Sequence, residues 1–299
     1  MANLKEVRER IKSVISTQQI TKAMKMVSAA KFRKAQQAIV QLRPYANKLS
    51  EMLANILSNL EGDAGTDYGK EREVNKVLIV VVTSNRGLCG AFNTNINKAA
   101  LHTLEAKYAD LYESGKVEMM FIGKKGYDFF RKRVSNVKFH TEHIDLFSDL
   151  SFDNVAKVSQ QLMDAFTTGE YDKIEVGYGM FKNAAMQFPT METFLPVPKV
   201  EADQDGSSEK AIKADYIFEP DKQSLLEYLV PSILKMQFHK YLLDTHASEH
   251  GARMTAMDKA TENADELLKD LRIKYNKARQ EAITRELSEI VGGAAALEG

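Results

Sequence analysis

Apolar and small residues recur near the end of the chain at Met257, Ala260, Ala264, Leu267, Leu271, Tyr275, Ala278 and Ala282. Their spacing in threes and fours is that of one helix face. The stretch from Ser248 to Ala295 holds no proline and only three glycines, so one long helix is predicted, roughly 70 Å at 1.5 Å per residue. Two consecutive steps of four, from Leu267 to Leu271 to Tyr275, read as a stutter that locally unwinds a supercoil. Alanine dominates the stripe, and small side chains admit a second backbone at close range. A helix of this length needs a long partner, because globular helices average about 11–12 residues.

The beginning of the chain supplies that partner. Asn3 with Glu6 forms a box-like helix start, and Leu4, Val7, Ile11 and Val14 follow in steps of three and four. Ser16, Thr17, Gln18 and Gln19 interrupt the stripe, which is expected to resume at Ile20, Met24 and Val27. Pro44 is expected to kink the helix or restart it, with Leu49, Leu53, Ile56, Leu57 and Leu60 carrying the apolar face onward. Two terminal helices that cannot bury their stripes alone pair most simply as an antiparallel coiled coil.

Between them the period changes. Glu61–Glu73 is polar and glycine-containing, a linker or loop. Val77–Val82 is an unbroken aliphatic run, the pattern of a strand buried on both faces of a parallel sheet. Helical and strand-like stretches then alternate: a helix over Thr94–Tyr108, a strand over Val117–Ile122, a helix over Lys125–Arg133, a strand over Val137–His140, a helix over Phe152–Phe166 and a strand over Lys173–Tyr178. Phe188–Val197 reads as extended, but Pro189 and Pro196 confine it to an edge or a loop. Residues Asp203–Lys210 read as a polar loop and Tyr216–Phe218 as a last strand. The fold class expected is therefore α/β: a long antiparallel coiled coil of the N- and C-terminal helices with an inserted Rossmann-like domain. The divisions fall at 1–60, 74–219 and 221–299.

Composition narrows the function classes. The longest apolar run is far below the roughly 18 residues of a membrane span, and Met1–Ile11 is charged where a signal peptide would be apolar. One cysteine, Cys89, excludes an internal disulfide. Net charge is zero, yet residues 1–60 carry eleven Lys and Arg against three acids. The first helix therefore suits an acidic neighbour. It lacks interleaved aromatics and any nucleic-acid reader motif, so no nucleic-acid partner is expected.

Candidate chemistry is sparse. Ser84, Asn85, Arg86, Gly87, Leu88, Cys89 and Gly90 follow the first strand as a phosphate loop would, but neither a G-x-G-x-x-G nor a Walker A spacing occurs. The plain reading is a tight strand-to-helix turn, with Cys89 packed inside and no nucleotide or other cofactor bound. His246 and His250, at i and i+4, could ligate a metal, but with Glu249 between them and no third ligand nearby two solvated histidines fit better, and no metal is expected.

Three separated segments resemble the gamma subunit of F-type ATP synthases: Ile20 to Val27, Ser84 to Gly90, and Tyr275 to Gln280 followed by Ile283, Thr284, Glu286, Glu289, Gly293 and Ala294. Asn85 stands where that family often has aspartate. The resemblance implies a non-catalytic rotor shaft inside a ring of three alpha and three beta subunits. Its α/β domain would sit near the epsilon subunit and the c-subunit ring, on the cytoplasmic face of a bacterial inner membrane and attached only through the complex. It also implies contacts to the beta subunits, which present an acidic loop to the shaft, from Met24, Lys25, Arg279, Gln280, Thr284 and Glu286. A coiled-coil adaptor with an α/β recognition domain, or an α/β enzyme, would share the helices but not the closing segment.

Overall fold

The computed structural model describes residues 4–58, 67–70, 72–184, 186–197 and 222–298. The chain separates into two compact units, Met1–Ala29 with Arg253–Gly299, and Ala30–Ala252. The helix α1 (Leu4–Ser58) and the helix α6 (Lys222–Glu298) each contribute to both.

The larger unit is a five-stranded sheet in the order β3-β2-β1-β4-β5. Its strands are β1 (Val77–Val82), β2 (Val117–Ile122), β3 (Lys138–His140), β4 (Lys173–Phe181) and β5 (Gln187–Leu195). The first four run parallel and β5 closes one edge antiparallel to β4. All six residues of β1 are buried, and their alternation splits them between two cores. Leu78, Val80 and Val82 pack with the helix α5 (Phe152–Thr167) and with α6. Val77, Ile79 and Val81 pack with the helix α2 (Phe92–Lys107) and with Phe130, the last residue of α4 (Lys124–Phe130). A strand covered on both faces has no polar side, which is why its sequence shows none. The short helix α3 (Ala109–Glu113) follows α2.

Two glycines set close approaches. Gly123, at φ 98°, leads into α4, and a Cβ there would lie 1.9 Å from the Thr83 carbonyl oxygen. Gly179 lies under the Phe92 ring, 2.6 Å from where its Cβ would be. β4 runs past the expected end at Tyr178 to Phe181 because its antiparallel pairing with β5 continues to Gln187. Phe32, Ala35 and Ile39 of α1 pack in this unit against Phe181, Leu243 and Ala247.

Pro44 neither ends nor restarts the first helix: α1 is continuous through it, as α6 is through Pro231. The last helix begins well before Ser248. The expected strand Tyr216–Phe218 and the loop Asp203–Lys210 lie outside the described residues, as does most of the linker, of which Asp67–Gly69 forms a 3-10 turn.

Candidate partner interface of the terminal helices

In the smaller unit α1 and α6 are antiparallel, and four side-chain pairs set their register. Arg8 Nη2 donates to the Tyr275 hydroxyl at 2.9 Å, with the guanidinium 5.8 Å from the ring centre. Gln18 donates to Asp265, and the Thr21 and Thr261 hydroxyls meet at 2.8 Å. The Lys25 ammonium pairs with Asp258. The two residue numbers of each pair total 282 or 283, so one register holds along the whole contact.

This geometry corrects two sequence expectations. The seam of α1 does not skip to Ile20 and Val27, which are 56% and 58% exposed. It continues from Leu4, Val7, Ile11 and Val14 through Gln18, Thr21, Lys25 and Ser28, all buried or half-buried. Steps of three and four alternate without a break, which is the ordinary heptad. Counting spacing alone would have found it; choosing apolar residues did not, because this part of the seam is polar. On α6 the seam residue is Leu268, buried, and not Leu267, which is 40% exposed. With Met257, Thr261, Ala264, Leu268, Leu271, Tyr275, Ala278 and Ala282 the steps again alternate, and the expected stutter disappears.

Carried forward in the same register, Arg279 lies level with the first described residue of α1. From 280 to 298, about 28 Å of helix, α6 has no described α1 residue left to face. Ile283, Leu287, Ile290 and Val291 are accordingly exposed there. At 100° per residue these four side chains fall within about one third of the helix circumference, so they form a stripe and not a scatter.

The nominated contact residues divide into two sets. Arg279, Gln280, Thr284 and Glu286 are all exposed on α6, and Gln280 and Thr284 border a shallow groove with Lys277, Glu281 and Arg285. On α1, Met24 is half-buried and its carbonyl accepts from Ser28 Oγ at 2.7 Å. Lys25 is engaged with Asp258 across the seam. Sequence reasoning did not find Asp258, Thr261 or Asp265, since each is defined by a partner more than two hundred positions away.

The turn after β1 is closed by its own side chains. Ser84 N–H donates to Asn93 Oδ1 at 3.0 Å, Ser84 Oγ donates to the Arg86 carbonyl at 2.6 Å, and Asn93 Nδ2 donates to the buried Cys89 Sγ at 3.1 Å. Leu88 and Gly90 both take positive φ. Three buried or half-buried carboxylates of the larger unit have partners close by. Glu118 accepts from Lys76 (2.8 Å), Tyr171 (2.7 Å) and His140 (2.6 Å). Burial alone would raise its pKa, but these hydrogen bonds outweigh burial and hold it at about 2. Glu175 is bound by the Tyr108 hydroxyl (2.6 Å) and Lys107, and Glu192 by the Tyr178 hydroxyl (2.6 Å). Burial and the adjacent carboxylate push all three phenols well above the usual tyrosine range. These groups hold the sheet together.

His246 and His250 are not the solvated pair that spacing alone allowed. His250 is buried, His246 is half-buried, and their Nε2 atoms lie 3.1 Å apart.

Residues 3–297 match the family model described as ATP synthase. The ATP synthase gamma chain of Cytophaga hutchinsonii is 54% identical over 297 residues, covering 99% of both chains. That of Flavobacterium psychrophilum is 54% identical over 299 residues and the whole of both chains. Among solved structures, a chain of the Euglena gracilis mitochondrial ATP synthase (OSCP/F1/c-ring, rotational state 3) superposes with a TM-score of 0.63 at 23% identity, covering 98% of this chain and 94% of that one. With identity of this order sustained from end to end, and the same fold found in a solved complex, the chain belongs to the ATP synthase gamma-chain family.

Proposed function

We propose that this chain is the central rotor shaft of the catalytic sector of an F-type ATP synthase, coupling proton flow through the membrane sector to the cycling of the catalytic sites. The observation that carries the reading is the last part of α6, a single helix with an uncovered apolar stripe of Ile283, Leu287, Ile290 and Val291. A monomer would leave that stripe in water; a sleeve of three alpha and three beta subunits buries it while offering no fixed partner to any one residue. The shaft itself catalyses nothing. Being asymmetric, it meets three chemically identical beta subunits differently, and it biases each only by the difference in contact energy between that subunit's states. Rotation permutes the bias.

Arg279, Gln280, Thr284 and Glu286 are available for such contacts as they stand. Arg279 can form a charged hydrogen bond that engages at one angle and releases at another. Met24 suits a sliding surface, being flexible and uncharged. Lys25 would have to trade Asp258 for a group on a beta subunit, so its contact is the most angle-dependent of the set. The α/β unit then faces the epsilon subunit and the c-subunit ring. The complex holds the chain at the cytoplasmic face of the bacterial inner membrane; no described helix is long and apolar enough to cross a membrane.

The test is proton pumping per ATP hydrolysed in membrane vesicles from wild type and Met24→Lys. An added cation beside Lys25 binds one rotational position too firmly. The expected result is an assembled enzyme that retains hydrolysis and pumps fewer protons per ATP, with Thr284 or Glu286 changes modifying the defect. An unaltered ratio would remove Met24 from the beta contact, and failure of alpha and beta subunits to co-purify with the chain would remove the rotor reading itself.

A further inference from the structure

Inside the larger unit, His239 ties α6 to the loop that leads into α5. Its Nε2 lies 3.2 Å from the Leu150 carbonyl oxygen. A carbonyl can only accept, so Nε2 carries the ring hydrogen and Nδ1 keeps a bare lone pair. That Nδ1 is buried and has no hydrogen-bond partner among the described residues. Phe152, the first residue of α5, meets the ring edge-on with centres 5.6 Å apart. Beside the ring runs a groove of about 410 Å³, walled by Gln41, Leu42 and Tyr45 of α1 with Leu150 and Leu243. The contact is therefore built for the neutral ring with its hydrogen on one particular nitrogen.

We propose that His239 is an acid-sensitive latch, which holds α6 to residues 146–152 when neutral and releases them when protonated. A second proton must go to Nδ1, which is shielded from water and faces no described acceptor, and the resulting cation would lie among apolar side chains. Opening toward the groove hydrates it. No neighbouring group neutralises the charge in place. On the loop, Asp149 is taken up by the Ser151 N–H at 3.0 Å and by Asn154 at 2.6 Å, and Asp153 is exposed on the first turn of α5. On α6 the charged residues next to His239 are cations, half-buried Lys235 and exposed Lys240, and α1 contributes only the exposed Tyr45 to the groove. His246, stacked on Phe147 at 6.0 Å, is the other titratable ring at this loop. Burial pulls the His239 pKa below its ordinary value of 6.5, and the bond to the Leu150 carbonyl restores only part of the loss. The open form takes the proton at the ordinary value and the closed form only at lower pH, so the latch is strongest above pH 6.5 and weakens as pH falls below it.

The test is amide exchange of the full-length protein at about pH 7.5 and about pH 5.5, corrected for the intrinsic pH dependence of exchange, in wild type and His239→Gln. Glutamine keeps an N–H for the Leu150 carbonyl and cannot be protonated. In wild type, protection over residues 146–152 should fall roughly threefold to tenfold at the lower pH. In His239→Gln it should stay constant, and because His246 is present in both proteins the difference belongs to His239. Nitrogen NMR of the wild-type ring gives a second reading that needs no variant: a neutral ring with its hydrogen on Nε2 near neutral pH, half-protonated only below pH 6.5. Protection that does not respond to pH in wild type overturns the latch, as does an equal fall in His239→Gln or a ring that titrates at or above 6.5. If His239→Gln does not fold, the ring titration decides the matter.

Discussion

The sheet unit and the paired-helix unit bury themselves in different ways. In the sheet unit the strands β1 and β2 are buried along their whole length and split their side chains between two apolar cores. In the paired helices the seam is half-polar for much of its length, and large apolar residues such as Met26 (63% exposed) and Ile273 (68%) lie outside it. A folded domain ordinarily puts apolar side chains in its seam and polar ones outside; here Gln18, Thr21 and Lys25 are in and Ile20, Met26 and Val27 are out. The strands of the sheet unit are therefore covered by its own elements, whereas the outer faces of the paired helices carry apolar side chains that no described residue covers. Polar pairs in the seam give register without much hydrophobic gain, so the helices stay aligned even where their burial is modest.

The comparison breaks most readily at Gly123. Its φ of 98° and the 1.9 Å approach to the Thr83 carbonyl leave no room for a side chain. Gly123→Ala should cost the sheet unit about 3 kcal/mol or more, read as a lower midpoint for its tertiary circular dichroism. A neutral outcome would mean that the β2–α4 junction can be rebuilt cheaply, and that the sheet unit is less finished than its packing implies.

A smaller effect sharpens the helical half. Leu268→Ala should destabilise the paired helices by about 2 kcal/mol, and Leu267→Ala by less than about 0.5 kcal/mol, because only the first side chain is buried. Amide exchange across residues 4–29 and 253–279 measures both. Equal effects would restore the stuttered seam expected from the apolar pattern.

The contrast between the units also explains what could be read in advance. Val77–Val82 was legible to the residue because a doubly covered strand is uniformly apolar and ends where polarity begins, and Val117–Ile122 was legible because Glu118 alone interrupts its apolar run. The pairing of the two terminal helices was legible from their length. The register was not: apolar chemistry pointed to Ile20, Val27 and Leu267, while unbroken heptad counting points to Thr21, Ser28 and Leu268. Glu118 and Glu175 were invisible as buried groups, since each depends on partners brought in by other strands and helices. The nominated contact residues rested on the resemblance alone; the four on α6 are exposed, while Lys25 has a partner, Asp258, that no local pattern announces.

Acid should separate the units in the next smaller range. Glu118 is held at about 2, below the ordinary glutamate value of 4.5, so the folded sheet unit binds this proton later than the unfolded chain. The stability it contributes is present above about pH 4.5 and is lost as pH falls toward 2. Water still reaches Lys76, one of its partners, so the contribution is about 1–2 kcal/mol, less than the full shift would carry. Glu118→Gln should flatten that part of the sheet unit's acid profile. It should leave the profile of the paired helices unchanged, as followed by amide exchange in residues 4–29. An unchanged acid slope in the sheet unit would assign its acid sensitivity to other carboxylates.

The smallest expected effect tests whether a change in the turn stays within its own unit. Asn85 Oδ1 accepts the backbone N–H of Lys124, the first residue of α4, at 3.0 Å. That N–H is one of the donors a helix leaves unpaired at its start, and an oxygen placed there acts as a cap from a distant loop. Aspartate at 85 keeps the acceptor and adds a negative charge at the positive end of the helix, close to the cations of Lys124 and Lys125. A charge at a helix end contributes about 0.3–1 kcal/mol, and α4 is only seven residues long, so the lower end applies. Asn85→Asp should therefore raise the stability of the sheet unit by about 0.3 kcal/mol at low salt, a gain that fades as salt screens the charge. Exchange rates in the paired helices should not change. A gain independent of salt would show that hydrogen-bond geometry and not charge is responsible, and a change in the helices would show that the turn after β1 is coupled to them.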